Sequence, residues 1–260
     1  MRNIKLTLEY DGSRFVGFQK QPHGPTIQDA LEKALAKLFN RKMKIAAASG
    51  RTDSGVHAAC QVVNFKTDSR LRLDQIQKGL NAYLPKQIAV VKIKEAPPDF
   101  HARYSAKSKV YEYRIWNGAV RSPLQAAQTY HLPAPLDLSK MRAAAKILTG
   151  RRDFRSFCAS DNSNKSNGVR RFLGKKRLTP STIRNVKQFE IKKKDSLIYF
   201  TIEADGFLYH MARNLVGTLA EVGEGKLSVQ ELHRILESRD RRAAGRTVPA
   251  EGLTLMKVNY

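Results

Sequence analysis

Residues 43–65 read MKIAAASGRTDSGVHAACQVVNF, and the architecture of the first half of the chain follows from them. The two ends, residues 43–48 and 61–65, have the short apolar character of β-strands. Residues 49–58 between them contain two glycines and are predicted to be a loop. A rigid scaffold often presents reactive side chains on such a loop. An ordinary hairpin connection with an aspartate in the turn is the alternative at this point.

The segments on either side extend this pattern to a complete unit. Upstream, residues 5–10 alternate like a strand, and Thr26 can cap a helix over Ile27–Phe39, which has one apolar stripe. Downstream, residues 74–83 are predicted to be a helix and residues 88–93 a strand. The order strand–helix–strand–strand–helix–strand predicts a ferredoxin-like unit.

The second half is predicted to be another mixed unit. Pro97 and Pro98 punctuate the chain before it, so we expect one domain over residues 1–105 and another over 106–260. Its predicted elements are a strand at 109–116, a helix at 138–148, paired strands at 186–192 and 198–204, a helix at 208–222, a helix capped by Ser228 that ends near Glu237, and a strand at 253–258.

Charge is the strongest compositional signal. The chain has 47 Lys and Arg against 23 Asp and Glu, a net charge of +24. This excess favours a polyanionic partner, because Lys and Arg contacts with phosphates release counterions and steer association. A basic membrane-surface protein is the rival class. The sequence has no long Lys/Arg-rich amphipathic helix and no apolar run of membrane-spanning length, so we expect no membrane partner.

One segment, residues 165–184, is especially basic. It contains seven Lys or Arg and no acidic residue, and Asn, Ser, Gly and Pro interrupt it. Two interpretations stay open. The segment is either a solvated loop or a flexible basic arm that follows a nucleic-acid backbone.

The two cysteines indicate a reducing compartment. Cys60 and Cys158 are far apart and make no disulfide framework, so a cytoplasmic location is expected. The first residues lack the apolar region of a secretory signal. His57 and Cys60 could supply two metal ligands, but no second pair is spaced for a zinc site, so no metal is predicted.

The loop GRTDSGVHA, residues 50–58, resembles the central motif of the TruA family of tRNA pseudouridine synthases. The motif is long and contiguous, which makes chance identity improbable. Segments in the family's order are similar over nearly the whole chain: residues 9–12 (EYDG), 17–21 (GFQKQ), 61–65 (QVVNF), 81–85 (NAYLP), 100–106 (FHARYSA), 109–113 (KVYEY), 210–214 (HMARN) and 251–253 (EGL).

The resemblance implies a reaction and an architecture. The reaction is isomerisation of uridine to pseudouridine at positions 38, 39 and 40 of the tRNA anticodon stem-loop, by a homodimer without a metal, nucleotide or redox cofactor. The fold class is then α/β (α+β), with two ferredoxin-like or RRM-like mixed-sheet units and a basic cleft between them. Asp53 matches the family's single essential aspartate.

The reaction suits an aspartate. It breaks the N-glycosidic bond, turns the uracil and joins it again through C5, with no net oxidation or hydrolysis. A carboxyl with an ordinary pKa of about 3.9 is ionised at pH 7 and needs no activating residue to act as nucleophile or base. Whether Asp53 attacks the sugar, attacks the base or removes a sugar proton stays open.

The resemblance also assigns roles to other residues. Arg213 lies opposite the apolar stripe of its helix, which alone suggests exposure to solvent, but the resemblance pairs it with Asp53. Tyr111 is either core or the ring that stacks on the target base, with a part in removing the C5 proton left open. Arg51 either contacts a surface phosphate or displaces the target nucleotide. The remaining predicted RNA contacts are His57, Arg103, Lys109, Arg170, Arg171, Lys175 and Lys176.

Two departures and three alternatives accompany this hypothesis. Phe18 stands where the family often has Trp, and the segment 165–184 is longer than usual in the family, which affects the expected choice of tRNA.

A pseudouridine synthase for other RNA sites is the nearest alternative function. A non-catalytic RNA-binding protein, such as a ribosome-assembly factor, would also explain the charge. A DNA-binding regulator lacks support, because no helix-turn-helix or zinc-finger spacing is present.

Overall fold

The structure is a computed structural model that describes residues 1–159 and 181–260. Within these ranges the helices are Ile27–Phe39 (α1), Leu73–Tyr83 (α2), Leu138–Ile147 (α3), Met211–Gly223 (α4) and Val229–Ser238 (α5). The strands are Arg2–Tyr10 (β1), Ala47–Ala48 (β2), His57–Thr67 (β3), Ile88–Ala96 (β4), Ser108–Trp116 (β5), Tyr130–His131 (β6), Gly150–Asp153 (β7), Ile183–Lys194 (β8), Leu197–Ala204 (β9) and Leu253–Asn259 (β10).

The described strands form one mixed sheet, with the order β4-β1-β3-β10-β5-β9-β8-β7. β2 pairs with β3, and β6 pairs with β5. The last strand, β10, lies in the middle, parallel to β3 and antiparallel to β5. The mixed α/β class is therefore confirmed, and the sheets of the two halves are joined edge to edge through β10. The division of the chain near residue 105 stays a prediction.

The first half has the strand order β4-β1-β3-β2 of a ferredoxin-like unit, but β2 is much shorter than predicted. Only Ala47 and Ala48 pair with β3, whereas a strand was expected over residues 43–48. Single backbone bonds flank this ladder, because the Ala46 amide donates to the Asn64 carbonyl and the Ser49 amide to the Val62 carbonyl, each at 2.8 Å. The Ile45 amide instead donates to the Glu32 carboxylate at 3.3 Å. Alanine has a low strand propensity, which agrees with the shortness of the regular ladder.

The predicted helix starts at Thr26 and Ser228 are confirmed. The Thr26 hydroxyl accepts the Asp29 amide at 3.1 Å, and α1 begins at the next residue. Ser228 and Glu231 form a reciprocal capping box at the start of α5. Each cap satisfies amide groups that the first helical turn leaves unpaired.

Helix α4 differs from its prediction at both its start and its exposed face. It begins at Met211 instead of residue 208, because His210 has the left-handed φ of 58° and acts as the N-cap. The face opposite its apolar stripe is covered by the segment around Arg246. A Cβ atom on Gly217 would lie 1.8 Å from the Arg246 carbonyl oxygen, so glycine is what permits this close approach.

None of the helices in the described ranges combines the length and apolar character that a bilayer-spanning helix requires. The predicted pairing of the strands near residues 186–204 is confirmed, since β8 and β9 are antiparallel neighbours. Strands β6 and β7 were not predicted. They have two and four residues respectively, too few for an alternating pattern to stand out.

Candidate active site

The loop between β2 and β3 is held by buried polar contacts. The Tyr10 hydroxyl lies 2.7 Å from the Thr52 hydroxyl, and both side chains are buried. The Gln61 amide donates to the Gly50 carbonyl at 2.9 Å. These contacts fix the backbone on the N-terminal side of Asp53, whose carboxylate is 24% exposed. The loop therefore presents one carboxylate in a set position, which suits catalysis.

Helix α4 brings a guanidinium to this carboxylate. Arg213 Nη1 lies 3.5 Å from Asp53 Oδ2, and the arginine side chain is 15% exposed. Arg213 Nε donates to the Val248 carbonyl at 2.8 Å, which orients the guanidinium from its other side. The pair is partly shielded from water, where the attraction between opposite charges is stronger than at a surface.

His210 contacts the same oxygen and was not among the predicted site residues. Its Nε2 lies 3.5 Å from Asp53 Oδ2. Burial lowers the pKa of His210, and although Asp53 opposes this shift, the charges of Arg213 and Arg241 add to it. The imidazole is therefore neutral at pH 7, and its contact with Asp53 is polar without being an ion pair. Its place within the HMARN motif was the available sequence signal.

Tyr111 on β5 forms another wall of the site. Its side chain is 7% exposed, and its ring meets Phe207 edge-on with centroids 4.8 Å apart. Burial, followed by the influence of Tyr10 and Asp53, raises the pKa of the Tyr111 phenol far above its ordinary value. The phenol therefore stays protonated at neutral pH. Tyr113, two residues along the same strand, is fully buried and donates to the Pro249 carbonyl.

Three predicted RNA contacts, Arg51, Arg103 and Lys109, line the same site. The two arginines are exposed, and Lys109 is partly buried. Burial lowers the pKa of Lys109 to about 8, and the nearby charges of Arg103 and Arg184 act in the same direction. A Cβ atom on Gly50 would lie 2.8 Å from Lys109 Nζ, so the glycine makes room for this ammonium.

Together these side chains enclose a pocket with a volume of about 690 Å³, called the Asp53 pocket below. A pocket of this size can hold a nucleoside. Among its described lining residues, Arg51, Arg103, Lys109 and Arg213 carry positive charge, and Asp53 is the one carboxylate. Phe18, at the position where the family often has Trp, keeps an aromatic ring in the lining.

His57 has a different position from the one expected of an RNA contact. It is 4% exposed and does not line the Asp53 pocket. Its Nδ1 lies 3.1 Å from both the Gly12 amide and an Asp11 carboxylate oxygen. The RNA-contact prediction for His57 is therefore corrected to a structural role, in which the ring holds the turn that follows β1.

The other predicted RNA contacts, Arg170, Arg171, Lys175 and Lys176, lie outside the described residues, as does most of the basic segment 165–184. Across residues 1–159 and 181–260, no three His, Cys, Asp or Glu side chains are grouped so that they could hold a metal ion.

Comparisons with known proteins match almost the whole chain. A family model described as tRNA pseudouridine synthase matches residues 7–105 and 144–260. The tRNA pseudouridine synthase A of Acetivibrio thermocellus is 42% identical over 260 residues, which is 100% of both chains. The protein of the same name from Moorella thermoacetica is 43% identical over 259 residues and 99% of both chains.

One solved structure, a Cbf5-Nop10-Gar1 complex, aligns with 97% of this chain and 49% of that chain. The sequence identity is 12% and the TM-score 0.37, too low a likeness to support an inference about the site.

Proposed function

The chain belongs to the tRNA pseudouridine synthase family, and we propose that it isomerises uridine to pseudouridine at positions 38, 39 and 40 of the tRNA anticodon stem-loop. The observation that carries this proposal is a single carboxylate, Asp53, which Arg213 contacts at 3.5 Å inside a pocket lined by cations. The cations suit the phosphates of an RNA substrate. The single carboxylate suits a reaction at one uncharged base of that RNA.

In the proposed reaction Asp53 acts on the target nucleotide as nucleophile or base. The bond between C1′ and N1 of the uracil breaks, the base turns, and a bond forms between C1′ and C5. The hydrogen on C5 leaves as a proton, and N1 gains a proton, so atoms and electrons balance without a redox partner. Arg213 holds the carboxylate in position through the step that creates or consumes positive charge at C1′.

Tyr111 is proposed to support the turning base with its ring. The face of a buried aromatic ring suits stacking on uracil. Because its phenol is protonated at neutral pH, Tyr111 can donate a hydrogen bond to the base, and the phenolate form that would accept the C5 proton is scarce.

The target uridine is stacked within the anticodon stem-loop and must leave the stack to reach the carboxylate. Turning a nucleotide out of a stem costs a few kcal/mol, which contacts with the protein must offset. Arg51 is exposed at the pocket beside Asp53, and we propose that it displaces and holds the target nucleotide. Arg103 and Lys109 are proposed to hold the phosphates on either side.

The biological setting is proposed on the same basis. A cytoplasmic location agrees with a tRNA substrate and with a chain that contains two cysteines far apart in sequence. A homodimer, in which one tRNA touches both subunits, is proposed from the family resemblance. The division into residues 1–105, which carry Asp53, and residues 106–260, which complete the pocket, is proposed in the same way.

Mapping pseudouridine in tRNA from cells that lack the protein tests the substrate assignment. We expect loss of the modification at positions 38, 39 and 40 and retention elsewhere. Loss at other RNA positions would favour a synthase with different targets. Unchanged pseudouridine throughout would favour a non-catalytic RNA-binding protein.

The lowered pKa of Lys109 predicts how tRNA binding depends on pH. As pH rises through about 8, the ammonium loses its proton and its attraction for phosphate, so the Kd for tRNA should rise several-fold between pH 7 and 9. Lys109→Met should bind roughly tenfold more weakly at pH 7 and lack this pH-dependent component. Filter binding at fixed ionic strength measures both effects, and the exposed neighbour Lys107→Met is the matched control.

Deprotonation of Lys109 should also raise the stability of the folded protein, although it weakens tRNA binding. The pKa of Lys109 in the folded protein is below the ordinary value of 10.5 that it has in the unfolded chain. The free-energy cost of burying the charge is therefore fully present below pH 8 and is relieved as pH rises to about 10.5.

If wild type and Lys109→Met responded identically to pH in tRNA binding, the assignment of Lys109 to a phosphate contact would be wrong.

A further inference from the structure

Tyr104 is an exposed aromatic residue at the rim of the Asp53 pocket. Its side chain is 78% exposed although the residue lines the pocket. One face of its ring is stacked on His101, with centroids 4.3 Å apart and planes inclined by 26°. A large ring held in water by a second ring adds little to a hydrophobic core, so its position calls for a different explanation.

The loop that carries Tyr104 is anchored from below by buried amides. Asn64 accepts the Ala102 amide at 3.0 Å and donates to Asn3 at 3.0 Å. Asn3 in turn donates to the Phe100 carbonyl at 2.9 Å. Both asparagines are buried, and satisfied networks of this kind hold one conformation of the backbone.

Two further contacts fix the same loop from its sides. The Tyr260 hydroxyl donates to the Ala102 carbonyl at 2.8 Å. His101 Nδ1 accepts the Tyr104 amide at 3.3 Å, so the residue that stacks on the Tyr104 ring also holds its backbone. The exposed ring is therefore already ordered, and a ligand that stacks on it loses little further conformational entropy.

The charges around Tyr104 indicate the class of that ligand. The Arg103 guanidinium carbon lies 5.9 Å from the Tyr104 ring centroid, and Lys109 and Arg51 line the same pocket. A flat aromatic surface bordered by cations suits a nucleic-acid base joined to phosphates better than it suits an apolar protein side chain. When the target uridine leaves its stem, the neighbouring bases lose a stacking partner and need a replacement.

We propose that Tyr104, backed by His101, is a stacking platform for a base of the RNA that lies next to the target uridine. The proposal rests on the proposed function, because it assumes that an RNA enters the Asp53 pocket. Tyr104 is then a positioning residue. It holds the RNA in register with Asp53 and takes no part in bond making, so its loss should weaken binding while the chemical step proceeds at its usual rate.

Binding and turnover of an unmodified tRNA transcript test this platform in the full chain. Tyr104→Ala should raise both the Kd and the KM about tenfold and leave kcat within about twofold. Tyr104→Phe should stay close to wild type, because the ring remains. Tyr104→Leu should resemble Tyr104→Ala, because it keeps apolar area without an aromatic face. Tyr83→Ala, an exposed tyrosine that does not line the pocket, is the matched control.

Several results would overturn the proposal. An unchanged Kd in Tyr104→Ala, or a Tyr104→Leu variant that binds as well as Tyr104→Phe, would remove stacking as the role. A shift of oligomeric state in Tyr104→Ala, measured by sedimentation, would assign the ring to a contact between two copies of the chain. The Kd is measured without turnover, so a wild type that binds tRNA through Tyr104 without making pseudouridine would refute the proposed function and leave the platform standing.

Discussion

Replacement of Asp53 by Asn should lower the rate of pseudouridine formation by about 10⁴-fold or more, with the Kd for tRNA within about threefold of wild type. Asparagine keeps the size and shape of the side chain and removes the charge that serves as nucleophile or base. The surrounding loop is fixed by Tyr10, Thr52 and Gln61, so the pocket should keep its form. Single-turnover formation of pseudouridine in a tRNA transcript measures the rate, and filter binding measures the Kd.

Two further variants serve as controls for the Asp53→Asn measurement. In Asp53→Asn the introduced amide would precede Ser54, and its slow deamidation would regenerate a little wild-type enzyme, so Asp53→Ala should be measured beside it. Asp74→Asn removes a carboxylate that pairs with Arg72 at the surface, away from the Asp53 pocket, and should leave the rate unchanged. A rate within tenfold of wild type in both Asp53 variants would show that another group carries the reaction.

Replacement of Arg213 by Met should lower kcat by roughly 10²- to 10³-fold. Arg213 holds the Asp53 carboxylate at 3.5 Å through Nη1 and is itself held at 2.8 Å by the Val248 carbonyl through Nε. Methionine keeps much of the volume but loses both contacts. Arg213→Lys keeps the charge without the forked geometry, so its kcat should fall between those of Arg213→Met and wild type.

The arginine is partly buried, so the stability of its variants must be measured as well. We expect both Arg213 variants to remain folded, because the rest of α4 is packed on its apolar stripe, and thermal unfolding checks this. Arg242→Met, at an exposed arginine that pairs with Asp240, is the control for loss of surface charge. A folded Arg213→Met enzyme with the kcat of wild type would contradict the assignment.

Short stretches of sequence were sufficient to predict helix starts and strands whose contacts are made with nearby residues. Thr26 and Ser228 each precede a helix with an apolar stripe, and both act as the caps that their positions indicate. Residues 186–192 and 198–204 were predicted to be paired strands, and they form the antiparallel neighbours β8 and β9. In these segments the intrinsic preference and the final environment agree.

Tertiary contacts explain where local signals were insufficient. Strand β2 is limited to Ala47 and Ala48, and the Ile45 amide before it contacts the Glu32 carboxylate on α1. The face of α4 that looked exposed is covered by residues near Arg246, which lie about thirty positions further on. The partner of Gly217 lies outside any local sequence window, so the pattern of the helix alone could not reveal that this face is covered.

The contacts of the active site also could not be predicted from local sequence. Asp53, Tyr111 and Arg213 come from segments far apart in the chain, so only the family resemblance could group them. His57 was predicted to touch RNA because it is close to Asp53 in sequence, yet the start of β3 turns its side chain into the interior. His210 was missed although it lies in the HMARN motif, because its contact with Asp53 joins two segments far apart in the chain.

The most direct measurement of the central claim is tritium release from an unmodified tRNA transcript labelled at C5 of uridine, with no cofactor added. Formation of the bond between C1′ and C5 expels the label into water. We predict release that equals the pseudouridine formed with wild type, and none above background with Asp53→Asn. Tight tRNA binding by wild type without any tritium release would contradict the claim that Asp53 isomerises uridine in this pocket.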